Sequence, residues 1–297
     1  MPSPAVIQLA KVYARLSFLL LLLLHPTDLH APRSTLAWSL SFYPQPFLNI
    51  QRRSTSGSTL DFPVINVLGF LCYLISNSLL YYSSLIRSQY AYRNPVGLIP
   101  TVQLNDVAFA AHSVVLSMIT CSMFRKSVWG FEQRRGERVS RGVWGIMCGV
   151  LVGVGWIAVL VMTRGGDGGR DPIGWAWIDA VYALGYGKLV ITLVKYTPQA
   201  WSNYRRKSTV GWHIGQIILD VIGGVLSITQ LLIDSSLQDD WSGLTGNPVK
   251  FGLGNVSLFF DAIFLIQHYW LYRNVAKVVD DEAANRLLSD YEGSPTR

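Results

Sequence analysis

Residues 43–57 read YPQPFLNIQRRSTSG, and residues 197–211 read TPQAWSNYRRKSTVG. Each stretch opens on Pro-Gln, places an Asn five residues after the proline, and runs through a basic cluster and Ser-Thr to a glycine. A shift of 154 residues superposes them: Pro44 falls on Pro198, Gln45 on Gln199, Asn49 on Asn203 and Gly57 on Gly211. The same shift carries Asn66 onto Asp220 and Gly69 onto Gly223, so the match extends into the apolar segments that follow. The chain contains a duplicated unit.

Those apolar segments have membrane character. Half of the 297 residues are hydrophobic and 14% are charged, against roughly 25% charged in a soluble domain. A spanning helix needs about 20 mainly apolar residues. Runs at 62–84, 107–124, 142–163, 173–196, 214–233 and 253–272 meet that length, and a shorter run at 35–50 ends within the first Pro-Gln stretch. An all-α membrane protein of seven helices is predicted. Residues 35–124 form a first triple-helix bundle, 142–163 a linker helix, and 173–273 a second triple-helix bundle. Residues 274–297 form a cytosolic tail. The linker carries Gly145, Gly149 and Gly153 and no ionisable residue between Arg141 and Arg164. Small residues at that spacing permit close helix packing, which predicts a connector packed against its neighbours.

Orientation follows from the basic residues, since cytoplasmic loops carry the Lys/Arg excess. Arg52 and Arg53, the loop from Arg125 to Arg141, and Arg205 to Lys207 alternate with loops such as 234–243, DSSLQDDWSG. This places the basic loops and the tail in the cytosol and the N-terminus outside it. Both copies have the same loop charge, which predicts a parallel repeat. The net charge of +7 therefore reads as a topology signal rather than a nucleic-acid surface. Residues 1–31 have a basic start and an apolar core from Leu16 to Leu24, the pattern of a signal peptide cleaved after Ala31. The other reading makes this run, broken at Pro26, part of the first span. Cys72, Cys121 and Cys148 lack metal or disulfide spacing. No metal, cofactor or enzymatic nucleophile–base pair is expected.

Lys188, Asp220 and Asp261 fall well inside spans. Each costs about 2.5–3.5 kcal/mol at a helix centre, so they need partners or a task. One reading is a structural ion pair of Lys188 with Asp220 or Asp261. The other is a polar cavity that handles charged substrate and protons. Lys188 and Lys195 are seven apart on one helix and share a face, while Gln216 and Asp220 are one turn apart on another. Asp106 follows Asn105 at a helix start, where the pair could serve as a cap. Asp179 has no assigned role and sits near the luminal end. His112 and His268 read as packed polar groups. Proline removes a backbone donor and kinks a helix. Pro44 and Pro198, with matched flanks, are therefore candidates for a pair of gates.

These features resemble a known family. The paired Pro-Gln stretches resemble those of the PQ-loop transporters, and the detail is similar to the cystinosin family of proton-coupled cystine exporters. The likeness rests on SFYPQ at 41–45, NDVAFAAHSVVL at 105–116 and KLVITLVKYTPQAWSNYRRKSTVGW at 188–212. It continues in LDVIGG at 219–224, KFGLG at 250–254 and FDAIFLIQHYWLYR at 260–273, covering about residues 39–273. The resemblance implies substrate binding by Phe42, Gln45, Asn66, Lys188, Lys195, Gln199, Asn203, Gln216 and Asp220. It implies proton coupling through Asp106, Asp220 and Asp261 and gating at Pro44 and Pro198. L-Cystine and protons would be the partners, in a lysosomal or vacuolar membrane, with the N-terminus luminal. The chain departs from the family in having Gln216 where Asn is usual, in lacking a long luminal domain, and in lacking the usual tyrosine sorting motif near Tyr291. An exporter of cationic amino acids and a seven-helix receptor are the alternatives; the receptor lacks DRY or NPxxY support.

Overall fold

The computed structural model describes residues 32–94, 99–100, 102, 104–133, 136–165, 174–237 and 248–273. The predicted signal peptide (1–31) and tail (274–297) lie outside them. The described helices are α1 (Pro32–Ser41), α2 (Pro44–Arg52), α3 (Asp61–Tyr82), α4 (Ser84–Arg93), α5 (Leu104–Ser122), α6 (Lys126–Trp129) and α7 (Arg141–Arg164). They continue with α8 (Trp177–Lys195), α9 (Thr197–Arg206), α10 (Ile214–Leu237) and α11 (Pro248–Ile266), which ends in a π-helical turn at Gln267–Leu271. The described residues contain no strand, only an isolated bridge between Ser54 and Glu132. An all-helical fold is one of the two solutions a membrane permits, because each helix satisfies its backbone polar groups within its own segment.

Four helical rods among the described residues are long and apolar enough to cross a membrane: α3, α5, α7 and the continuous α8–α9 rod. The remaining expected spans correspond to α10, α11 and the α1–α2 pair. Several boundaries differ from the sequence reading. The short first run, 35–50, is two helices with a break at Phe42–Tyr43. The run at 62–84 stops at Tyr82, and Ser83 then caps a further helix, α4, by accepting a hydrogen bond from Ile86 N. No long apolar run announces α4, so hydropathy alone passes over it.

The packing is reciprocal between the two units. In the first, α3 packs on α5; in the second, α10 packs on α11. Across the units, α1 packs on α10 and α8 packs on α3. Each unit thus lays its first helix against the second helix of the other. The linker α7 packs on α8, with Val143, Ile146, Met147 and Val150 meeting buried Ile65 and Ile191. Its glycines do not make this contact, contrary to the expectation. A Cβ added at Gly145, Gly149 or Gly153 would meet nothing within 4 Å. The close approach comes instead from Gly187 of α8, where a Cβ would stand 2.8 Å from Val150.

Candidate functional site

The Pro-Gln stretches build the same local structure twice. Pro44 and Pro198 stand in the first turns of α2 and α9, where the missing N–H is no loss and the fixed φ suits the helix. Pro44 therefore marks a helix junction, after the break at Phe42–Tyr43, while Pro198 follows a single turn residue, Tyr196, within the α8–α9 rod. Both helices end on a left-handed residue, Arg53 at φ 48° and Lys207 at φ 52°. The chain then turns back towards the other unit.

That turn is held by a reciprocal clasp. The Gln45 amide donates to Asn49 Oδ1 at 2.9 Å and across the units to the Gly211 carbonyl at 3.1 Å. Its carbonyl oxygen accepts from His213 N at 2.8 Å. Gln199 donates to Asn203 Oδ1 at 2.9 Å and to the Gly57 carbonyl at 3.1 Å, and accepts from Thr59 N at 3.0 Å. Gly57 and Gly211 meet at the junction with φ of 111° and 88°. A Cβ on Gly57 would lie 2.5 Å from Gly211 Cα. Only glycine supplies both that conformation and that approach. The two Pro-Gln ends therefore lie at one end of the bundle, and the repeat is parallel.

The ionisable groups lie deeper. Lys188, Lys195 and Asp261 are buried, and Asp220 is partly buried. Lys188 Nζ sits 3.6 Å from the centre of the Phe70 ring, and Lys195 Nζ lies 4.3 Å from that of Tyr196. These are cation–π contacts, favourable when desolvated, but neither lysine has a carboxylate within ion-pair distance. Among the described residues the one ion pair is Arg93 with Asp179, so the structural pairing of Lys188 with Asp220 or Asp261 is not found. Asp220 accepts from Tyr196 OH at 2.8 Å and from Ser257 OH at 2.6 Å. Both oxygens of Asp261 lack a hydrogen-bond partner among the described residues. The group is within electrostatic reach of Asp220 and Lys195.

A narrow cavity of about 30 Å³ opens between the units, lined by Phe42, Phe62, Asn66, Ser117, Thr120 and Gln216, with Gln45 and Gln199 in its wall. It has room for one or two water molecules. No charged side chain lines it. Of the residues implied by the resemblance, Phe42, Gln45, Asn66, Gln199 and Gln216 line this cavity. Lys188, Lys195, Asp220 and Asp261 form the separate cluster. Asn203 is fully buried and donates to Gln267 Oε1 at 3.2 Å. Asp106 stands in the first turn of α5, at the end away from the Pro-Gln loops.

Sequence reasoning missed three groups. Tyr196 and Ser257 hold Asp220. Tyr43 meets buried His112 through its hydroxyl, 2.9 Å from Nε2. Asp179 gains a role as well: it accepts from Ala176 N at the start of α8 and from Arg93 of α4. The repeat itself carried a signal for Tyr196, since the shift of 154 places it on Phe42.

Two parallel triple-helix units joined by a linker and clasped through paired Pro-Gln loops define a duplicated PQ-loop membrane protein. The model of the PQ loop repeat matches residues 34–86 and 180–240. The chain is 42% identical over 238 residues to cystinosin of Drosophila melanogaster, covering 80% of this chain and 56% of the relative. It is 39% identical over 259 residues to a cystinosin homolog of Arabidopsis thaliana, covering 86% of this chain and 90% of the relative. A cystine transporter of Saccharomyces cerevisiae is 26% identical over 243 residues, covering 80% of this chain and 90% of the relative. The chain belongs to the cystinosin family. It spans a little over half the length of the Drosophila protein.

Proposed function

We propose that the protein exports L-cystine together with protons from the lumen of a lysosome or vacuole to the cytosol. The observation that carries this reading is the cluster of Lys188, Lys195, Asp220 and Asp261, held inside a helical bundle without ion pairs among them. Charges are retained at such depth where they serve ion or substrate pathways. Cystine presents two ammonium and two carboxylate groups, to which the carboxylates and the lysines of the cluster are respectively opposite in charge. The name of the yeast relative supports the substrate. Asp220 and Asp261 exchange the coupled protons, with Asp106 at the luminal end of α5. The amides of Asn66 and Gln216, and the ring of Phe42, line the cavity from which cystine leaves. Gln45, Gln199 and Asn203 act by holding the loops that shape this exit, and Pro44 and Pro198 start the helical segments that move with them. The basic Pro-Gln loops and the tail face the cytosol, and the N-terminus faces the lumen.

The test is uptake of labelled cystine into proteoliposomes under an imposed pH gradient, with lysine and glucose as competitors. Cystine uptake driven by the gradient, and lost in Asp261→Asn, is the expected result. Gradient-driven uptake of lysine in place of cystine would move the assignment to a cationic amino-acid exporter.

A further inference from the structure

Tyr196 is the single residue between α8 and α9, directly before Thr197 and Pro198. Its carbonyl oxygen accepts a bond from Ala200 N of α9 at 2.9 Å, while its side chain runs to the buried charges. The hydroxyl donates to Asp220 Oδ2 on α10 at 2.8 Å, and Ser257 Oγ on α11 donates to the same oxygen at 2.6 Å. The two hydroxyl oxygens stand 3.4 Å apart. One carboxylate oxygen thus gathers bonds from α11 and from the start of the second Pro-Gln segment.

The ring that carries this hydroxyl is clamped. Tyr196 is buried, and its ring packs against Phe62 of α3 and against Phe260 and Phe264 of α11. A close-packed interior transmits displacement because it has few voids to absorb it. Hydroxyl groups both donate and accept, so the site can meet either state of Asp220. An ionised Oδ2 receives both hydroxyls, whereas a protonated Oδ2 donates and one hydroxyl reverses to accept. Bonds to an ionised partner are roughly twice as strong as neutral ones, so protonation loosens the hold on Tyr196.

We infer that Tyr196 is a positioning residue that ties the α8–α9 junction to Asp220, so that the second Pro-Gln segment is held when Asp220 is ionised and released when it is protonated. This rests on the proton-coupled reading above. The other charged groups near Asp220 make no hydrogen bond to it among the described residues. Lys188 and Lys195 of α8 lie over the rings of Phe70 and Tyr196, and Asp261 of α11 is an electrostatic neighbour. His213, ahead of α10, accepts from Gly215 N through Nδ1. From the first unit, Tyr43 is bonded to His112 and Arg52 closes α2 at the loop end. The described side chains of α1, at 36–41, include no titratable group.

The experiment uses the full chain, purified and reconstituted, with two readouts. One is the pH midpoint of cystine uptake; the other is amide hydrogen-exchange protection of residues 197–206 at several pH values, corrected for intrinsic exchange. A donor to an ionised carboxylate favours the charged form, so Tyr196→Phe is expected to move the midpoint towards neutral by about one pH unit. The same variant should abolish the pH response of protection over 197–206. Ser257→Ala removes a donor from the same oxygen but not from the junction, so it should move the midpoint and keep the protection response. Should Tyr196→Phe fail to fold, Asp220→Asn makes the second test and should fix protection over 197–206 at its acid value. Protection that ignores pH in the wild type overturns the inference, as does a wild-type midpoint and response in Tyr196→Phe. Wild-type cystine uptake that ignores the pH gradient would instead remove the proposed function, while the exchange measurement still decides the role of Tyr196.

Discussion

Replacing Gly57 by Ala tests whether the contact between the two Pro-Gln loops holds the units together. The new Cβ would lie 2.5 Å from both Gly211 Cα and the Val210 carbonyl oxygen, whereas ordinary contact begins at 3.4 Å. The loops would have to part by about 0.9 Å. The two cross-unit bonds, Gln45 to the Gly211 carbonyl and Gln199 to the Gly57 carbonyl, are each 3.1 Å and would stretch past useful length. Each contributes about 1 kcal/mol net, and a side chain in the left-handed region adds about 1–2 kcal/mol of strain. The expected destabilisation is therefore about 3–4 kcal/mol. Gly136 is the internal control: its φ is 73°, yet a Cβ there meets nothing within 4 Å, so Gly136→Ala carries the strain alone. Thermal unfolding of the purified proteins at one scan rate should place Gly57→Ala about 5–10 °C below wild type, and well below Gly136→Ala. If the two variants melt within about 2 °C of each other, loop contact is not what stabilises the junction.

Lys195→Ala should abolish cystine uptake while the protein still inserts and folds, because losing one partner of a buried charged contact costs about 2–5 kcal/mol; near-normal apparent affinity would show that Lys195 only packs against Tyr196. Asp179→Asn should lower stability by about 1–2 kcal/mol in thermal unfolding, since it weakens a bidentate Arg93 pair and a helix cap, and should leave the pH dependence of uptake unchanged. Pro44→Ala and Pro198→Ala should each slow transport more than they alter apparent affinity, as changes at moving segments often do. Because both prolines occupy first-turn positions, their stability cost should stay below about 1 kcal/mol; turnover at the wild-type rate in both would make the prolines incidental.

The duplication, the helical class and the charged residues in the spans were legible in the amino-acid sequence alone. Identity at a constant spacing exposes a repeat directly, and a bilayer permits few backbone solutions to a long apolar run. Helical periodicity also put Lys188 and Lys195 on one face. Periodicity stops at the face of a single helix, however, and does not say what covers it. The glycines of α7 were expected at a packed interface, yet the side of α7 bearing Val143 and Val150 makes that contact. The partners of Gln45 are Gly211 and His213, separated from it by 166 and 168 residues, so no local pattern could reveal that the amide clasps the opposite loop. Sequence determines which groups a helix carries; tertiary packing decides which of them meet, because contacts between helices depend on distances that chain spacing does not encode.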